Sequence, residues 1–473
     1  MRYTFSNITL SILTASLLIF LSAESYACST FKLQSDEGLV YGHNLNEGDI
    51  GVPGMIFINK RGVFKKGRTW SELTTRNREN PSQHHWISRY GSVTFNVFGR
   101  DLPDGGMNEM GLYIWEMNED AEYPRGEGKP KLTQMNWMQY VLDNFATTEE
   151  AIRCASRVEI DGWGWHYFVG DARGNTAAIA FLEGKPVVHT GTRMPVPGLF
   201  NTPYDRELEL LKYYEGFGGQ YEVDPADPNV PRFVKCAVLV RDYDSGRNIV
   251  EYGLNMLAQL QVNDVPEWSI LFDVRNRDLH FRTRLNPGVK VLDLDALDFS
   301  NQTPCQILNM DVEKAGNVLS LFHAYSTEAM GEFFIESLLP ILPEKFFTSG
   351  GITLDEYMDR MSTITQYAAQ PSSQYFTGTW KNDPASGSDE RSITLELTSL
   401  NDAVSGQISL TNDLTKGYRL DHIHMIGPRL TFTCKTMDKT FIEVQAIIEG
   451  DTMTAGIFTI EDSQGSYTLH KSK

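Results

Sequence analysis

The chain has 473 residues and a formal net charge of −19, with an isoelectric point near 5.0. That length supports a full hydrophobic core and two domains. The acidity argues against nucleic acid and against anionic membrane surfaces as partners, because both would repel such a surface.

The first 27 residues read as an export leader. Arg2 gives a thin basic start, Ile8 to Leu21 is an apolar run too short to span a bilayer, and Ser25-Tyr26-Ala27 ends in small residues. No later apolar stretch reaches transmembrane length, so the mature chain is expected in the periplasm or outside the cell. Cleavage after Ala27 leaves Cys28 first, with a thiol and a free α-amine on one residue. The amine titrates near ~8 and the thiol near ~8.5, so the two can exchange a proton at neutral pH. An N-terminal amine can thus act as the base for its own side chain. Two other readings stay open. A lipoprotein signal also places cysteine at the cut, although it would want a Leu-like residue where Ser25 stands, and it would anchor the protein through Cys28. Cleavage after Ala23 would leave Cys28 as a small apolar residue near a terminus. The remaining cysteines, Cys154, Cys236, Cys305 and Cys434, show neither a redox nor a zinc spacing and leave room for none, one or two disulfides.

From Cys28 onward, short apolar runs closed by charged turns predict antiparallel strands at Ser29 to Leu33, Leu39 to Asn44, Met55 to Asn59, Val93 to Phe98 and Gly111 to Trp115. Helical spacing follows over Met135 to Phe145. Thr147-Thr148-Glu149-Glu150 reads as a capping box opening a helix through Val158. Tyr167 to Gly170 and Thr176 to Glu183 read as strands, Arg206 to Tyr214 and Ile249 to Gln259 as helices, and Trp268 to Arg284 as a hairpin. Cys305 to Leu339 and Leu354 to Ala369 read as helical. Strands and helices come in blocks, which fits a layered α+β fold rather than a βαβ repeat. After Pro371 the chain alternates, with Ile393, Leu395 and Leu397 and then Leu430, Phe432 and Cys434 on one face. Residues 371–473 are therefore expected to form a small all-β barrel or sandwich behind a main domain of 28–370.

Gly106-Met107-Asn108-Glu109-Met110-Gly111-Leu112 followed by Met117-Asn118, Trp165-His166-Tyr167 through Asn175, Phe200-Asn201-Thr202-Pro203, and Pro231-Arg232-Phe233 occur in that order. Together they resemble the choloylglycine hydrolase, or linear amide C–N hydrolase, family, over about residues 28 to 295. The resemblance implies a four-layer αββα sandwich of the N-terminal-nucleophile hydrolases. It implies hydrolysis of a linear amide through an acyl-enzyme, with Cys28 as nucleophile and base. Asn118 and Asn201 match positions that support the oxyanion, and Arg232 matches the arginine that holds the cysteine region. Amide side chains suit that task, since they donate to an oxyanion without transferring a proton. The implied substrate is a small molecule with an apolar acyl group, such as penicillin V, a conjugated bile acid or an acyl-homoserine lactone. No cofactor or metal is implied, and a homo-oligomer, often a tetramer in the family, is.

The sequence departs from the family in Tyr41-Gly42-His43-Asn44-Leu45-Asn46. The family has arginine where His43 stands and aspartate where Asn46 stands. A histidine there would make the charge beside the thiol pH-dependent. Asn46 can accept from the amine but carries no charge to favour its protonated form. The pair fits a subfamily with a different substrate or, as the alternative, a catalytically weak or inactive hydrolase-like binding protein, anchored through Cys28 if the signal is a lipoprotein's. His422 and His424, two apart on an expected strand, would share a face, with no third metal ligand nearby in the sequence.

Overall fold

The computed structural model describes residues 28–341 except 37, 47–50, 76–81, 83, 127–128, 262–265 and 302. Beyond these it describes 351–353, 355–357, 360, 376–382, 392–400, 403–410, 417–426, 429–435, 441–449, 451–459 and 463–472. The leader and its cleavage site lie outside the described residues. The chain divides into two compact units, one of residues up to 61 with 66–364 and the other of 62–65 with 365–473.

Two large sheets build the first unit. One has seven strands in the order Gly198–Phe200, Ser29–Gln34, Leu39–Leu45, Trp268–Asp273, Asp278–Thr283, Lys290–Asp293 and Gly316–Asn317. The other has nine, in the order Lys185–Thr190, Thr176–Leu182, Trp165–Gly170, Tyr113–Asn118, Gly105–Asn108, Ser92–Asn96, Met55–Asn59, Gln306–Asn309 and His323–Ala324. Their inner faces meet through aromatic rings. Tyr41 stacks on Tyr113 at 4.8 Å between centroids, and Phe95 of one sheet packs against Phe272 and Phe281 of the other. Such offset and edge-on pairs add to the free energy of burial. Helices cover the outer faces: Arg232–Arg241 and Ile249–Gln259 lie on the seven-stranded sheet, and Gln134–Asn144 and Thr148–Ala155 on the nine-stranded one. The result is the expected αββα layering.

Because both faces of each sheet are covered, its central strands lose the in–out alternation of a one-sided sheet. All seven residues of Leu39–Leu45 are buried. The same effect explains where the structure departs from the sequence reading. Cys305 to Leu339, expected as helix, holds the strands Gln306–Asn309, Gly316–Asn317 and His323–Ala324 before a helix begins at Thr327. Ile307 and Leu308 are both buried, so no period of two marks the strand there. Conversely, the helix Arg232–Arg241 buries every residue from Phe233 to Leu239, which erases the stripe that would reveal it. Thr147 does cap the helix Thr148–Ala155, with Glu150 completing the capping box. The segment expected as helix over Leu354 to Ala369 is described only at 355–357 and 360.

The family-like stretch Gly106 to Leu112 forms the turn between strands Gly105–Asn108 and Tyr113–Asn118, and Asn108 ties it down. Its Oδ1 accepts from the amides of Met110 and Leu112 at 3.1 and 3.0 Å. Its Nδ2 donates to the carbonyls of Leu142 and Phe145 at 2.8 and 2.7 Å, fastening the end of helix Gln134–Asn144. Gly111 completes the turn at φ +82°, where a Cβ would also meet Ala172. This signature is a brace for the strand that ends in Asn118. Asn108→Ala strands two buried and two part-buried backbone groups, and a buried one costs about 1–3 kcal/mol when unmet. A loss of at least ~2 kcal/mol in denaturant unfolding is expected; a loss below half of that would show the brace to be dispensable.

The second unit contains a closed barrel of eight strands, from Gly378–Lys381 round to Ser463–Lys471, each paired with its chain neighbours. Closure removes the exposed edges that a small sheet otherwise presents. Its interior is filled by Trp380, Ile393, Leu395, Leu397, Leu430, Phe432, Cys434 and Leu469, among others. The alternation at 393–397 and 430–434 therefore marks inward positions. At His422 the pairing with the next strand slips register, with His422 itself at φ +50°, so the simple alternation assumed for His422 and His424 breaks there.

Candidate active site

Cys28 precedes the first strand of the seven-stranded sheet and is fully buried. Strand pairing determines what surrounds it. Ser29 lies opposite Phe200 on one side and Asn44 on the other. One step further along the first pairing places Asn201 across from Cys28. One step along the second places Leu45 across from Cys28, with Asn46 next in the chain. The period-two rule puts Cys28, Thr30 and Thr30's partner His43 on the inner face, toward the second sheet.

Asn118 comes from that second sheet, at the end of Tyr113–Asn118, paired with Trp165. The Trp165 indole N–H donates to Asn118 Oδ1 at 2.8 Å. An indole nitrogen can only donate, so this bond fixes the amide orientation and turns Nδ2 away from Trp165 as an available donor. Asn201 Nδ2 reaches the Asn118 carbonyl at a long 3.5 Å, while its Oδ1 is buried without a partner. The two asparagines thus meet across the gap between the sheets.

Arg232 opens the outer helix Arg232–Arg241, directly after Pro231, whose ring suits a helix start. Its Nη1 donates to the Cys28 carbonyl at 2.9 Å, and its guanidinium lies over the Phe200 ring, 5.2 Å from the centroid. Burial lowers its pKa to about 10, against the opposing pull of Cys28 and Glu207. It stays charged at neutral pH. Glu207, on the helix Tyr204–Leu211 that follows the Asn201-Thr202-Pro203 turn, has its carboxyl raised to about 7 by burial, with the Thr202 hydroxyl and Arg232 resisting the rise. Glu207 therefore links the Asn201 turn to the arginine that holds Cys28. Sequence reading missed it, because one acidic residue in an amphipathic helix is indistinguishable from a solvated one.

A raised folded-state pKa means that the native protein binds the proton more tightly than the unfolded chain. Its stabilising contribution is complete below the unfolded value near ~4.3 and is lost as pH rises through about 7. Melting of the wild type against Glu207→Gln should show the wild type losing ground between pH 5 and pH 8. A constant difference over that window would contradict the burial of this carboxyl.

His43 differs from its sequence reading. It is fully buried, stacks on Trp115 at 4.1 Å between centroids, and shares a 2.7 Å hydrogen bond between its Nδ1 and Thr30 Oγ1. Burial holds its pKa well below the ordinary value. It is neutral at working pH, so the pH-dependent charge expected beside the thiol is absent, and the imidazole serves as part of the inter-sheet packing. Asn46 is buried at the end of its strand.

Around Asn118 lies an aromatic cluster. Trp163 packs edge-on against Trp165, Trp70 and Phe98 at 5.7, 4.7 and 6.1 Å. Trp70 and Trp163 keep partial exposure, whereas Trp115 and Trp137 are wholly core. Gly164, between the tryptophans, passes so close to Glu119 that a Cβ would stand 2.3 Å from its carbonyl oxygen. All five cysteines are unbridged and buried. Among the described residues, no group of His, Cys, Asp and Glu is arranged to hold a metal, and no helix is long and apolar enough to cross a membrane.

This αββα layering, with Cys28 buried at the head of the first strand of one sheet, is the fold of the N-terminal-nucleophile hydrolases. A penicillin V acylase from Pectobacterium atrosepticum is 25% identical over 264 aligned residues, covering 46% of this chain and 69% of the relative. Penicillin V acylase from Agrobacterium tumefaciens superposes with a TM-score of 0.54 at 22% identity, over 63% of this chain and 98% of that one. A variant of conjugated bile acid hydrolase from Clostridium perfringens gives a TM-score of 0.47 at 16% identity, over 62% and 99%. No family model matches the chain. The chain is thus a relative of penicillin V acylase, consistent with the choloylglycine hydrolase family that its motifs resemble.

Proposed function

We propose that the mature protein is an exported amidohydrolase in which Cys28, freed at its amine by removal of residues 1–27, cleaves a linear amide with an apolar acyl group. The observation that carries this reading is convergence. Cys28, Asn201 and Asn118 stand at the ends of three strands in two sheets and Arg232 opens an outer helix, yet all four gather at one end of the sandwich.

The chemistry follows from the parts. The α-amine takes the thiol proton and the sulfur attacks the amide carbonyl. Asn118 Nδ2, turned away from Trp165, and Asn201 Nδ2 donate to the oxyanion that forms. The α-ammonium then protonates the departing nitrogen, and the C–N bond breaks to leave a thioester. Water, deprotonated by the same amine, releases the acid and restores the thiol. Arg232 keeps the Cys28 carbonyl, and hence the attacking residue, in register. The partly exposed Trp70 and Trp163 beside Asn118 offer an aromatic wall for the acyl group.

A panel of penicillin V, glycine- and taurine-conjugated bile acids and N-acyl-homoserine lactones tests the substrate class. Turnover of one of these amides is expected. Failure on all of them, by a chain verified to begin at Cys28, would overturn the reading.

A further inference from the structure

His166 and Glu119 form a buried pair beside the proposed site that the mechanism above does not use. His166 lies on strand Trp165–Gly170 of the nine-stranded sheet, and its Nε2 is 2.6 Å from the carbonyl oxygen of Phe200, which belongs to the seven-stranded sheet. Its Nδ1 lies 2.9 Å from Glu119 Oε2, with the two side chains 1% and 3% exposed. The contact to Glu119 is ionic in distance but lacks hydrogen-bond alignment, since Glu119 Oε2 has no hydrogen-bond partner. A carbonyl can only accept, so Nε2 carries a proton. His166 Nδ1 faces the Glu119 carboxyl in a buried space, where an unpaired charge would be costly.

The placement of the pair in the chain gives it its meaning. Glu119 directly follows Asn118, and Phe200 directly precedes Asn201. The line Glu119–His166–Phe200 therefore bridges the two sheets one residue away from each asparagine, at a place where strand pairing does not join them. Glu119 is itself held: its amide donates to Gly164 O at 3.3 Å, and only a glycine at 164 permits that close approach of the two backbones. By contrast, the direct contact between the asparagines is only the long 3.5 Å bond.

We propose that Glu119 and His166 are positioning residues that fix the separation of the two asparagine donors across the sheets. This inference rests on the oxyanion role assigned to Asn118 and Asn201, and the test separates the two. The probe is p-nitrophenyl acetate, whose p-nitrophenolate burst reports acylation of Cys28 and requires no knowledge of the natural amide. The protein is the processed chain beginning at Cys28. Asn201→Ala should slow acylation by ~10²–10³. Glu119→Ala and His166→Ala should slow it by about 10–100-fold through misplacement of the donors, with KM little changed. Two near-isosteric variants guard against loss of fold: His166→Gln, whose amide can still donate to the Phe200 carbonyl, should recover most of the His166→Ala loss, and Glu119→Gln most of the Glu119→Ala loss. Wild-type acylation in the alanine variants, a loss confined to KM, or no recovery with glutamine, while Asn201→Ala remains slow, overturns the positioning pair alone. Wild-type acylation in Asn201→Ala and Asn118→Ala overturns the oxyanion assignment and the pair's role with it, and absence of a burst in the wild type overturns the nucleophile.

Discussion

Cys28→Ala should abolish amide hydrolysis, with a fall on the order of 10⁶, as expected when an acyl-enzyme hydrolase loses its nucleophile, while leaving the fold in place. The side chain is wholly buried between sheets held by many other contacts. Removal of one sulfur costs roughly what loss of a methylene does, about 1 kcal/mol. Activity and stability are therefore expected to separate cleanly. The comparison to make is steady-state turnover beside a thermal melt of the same preparation. Substantial turnover in the alanine variant would remove Cys28 from the chemistry, and an unfolded variant would point to a packing role instead. Cys28→Ser, which keeps the amine but offers a far less acidic nucleophile, should be nearly as slow.

Asn201→Ala should cost ~10²–10³ in kcat, the usual consequence of losing one oxyanion donor, with a smaller effect on KM. The structure gives a reason to rank it with Asn118→Ala rather than below it. Asn118 owes its orientation to Trp165, whereas Asn201 owes its place to strand pairing with the Cys28 segment and to its contact with the Asn118 carbonyl. Since the two touch, their effects should be less than additive: the double variant should be slower than either single one by much less than the product of the two losses. Independent, multiplicative losses would indicate that the two amides serve different steps.

Much of this was legible in the sequence, and the reasons for the rest are physical. The helix Ile249–Gln259, the capping box at Thr147 and the hairpin of Trp268–Asp273 with Asp278–Thr283 all follow from local patterns. Local patterns fail where burial is complete on all sides, as in the helix Arg232–Arg241 and the strand Gln306–Asn309, because no polar face remains to set a period. Motif order singles out Cys28, Asn118, Asn201 and Arg232, and in the structure Arg232 bonds the Cys28 carbonyl while Asn201 reaches the Asn118 carbonyl. Glu207, Glu119 and the bond from Trp165 to Asn118 leave no such mark in the sequence. Each acts through a contact between residues far apart in sequence, for which spacing carries no signal. His43 was found but misjudged: a histidine on an inner sheet face and one on a solvated face share the same letter, and only packing against Trp115 shows which is present.

The proposed reaction depends on a free α-amine at Cys28, and the intact mass of the mature protein purified from its native host tests that most directly. The expected mass is that of a chain that begins at an unmodified Cys28. A chain beginning at Glu24, or one whose Cys28 carries lipid, would have no free amine beside the thiol and would contradict the mechanism.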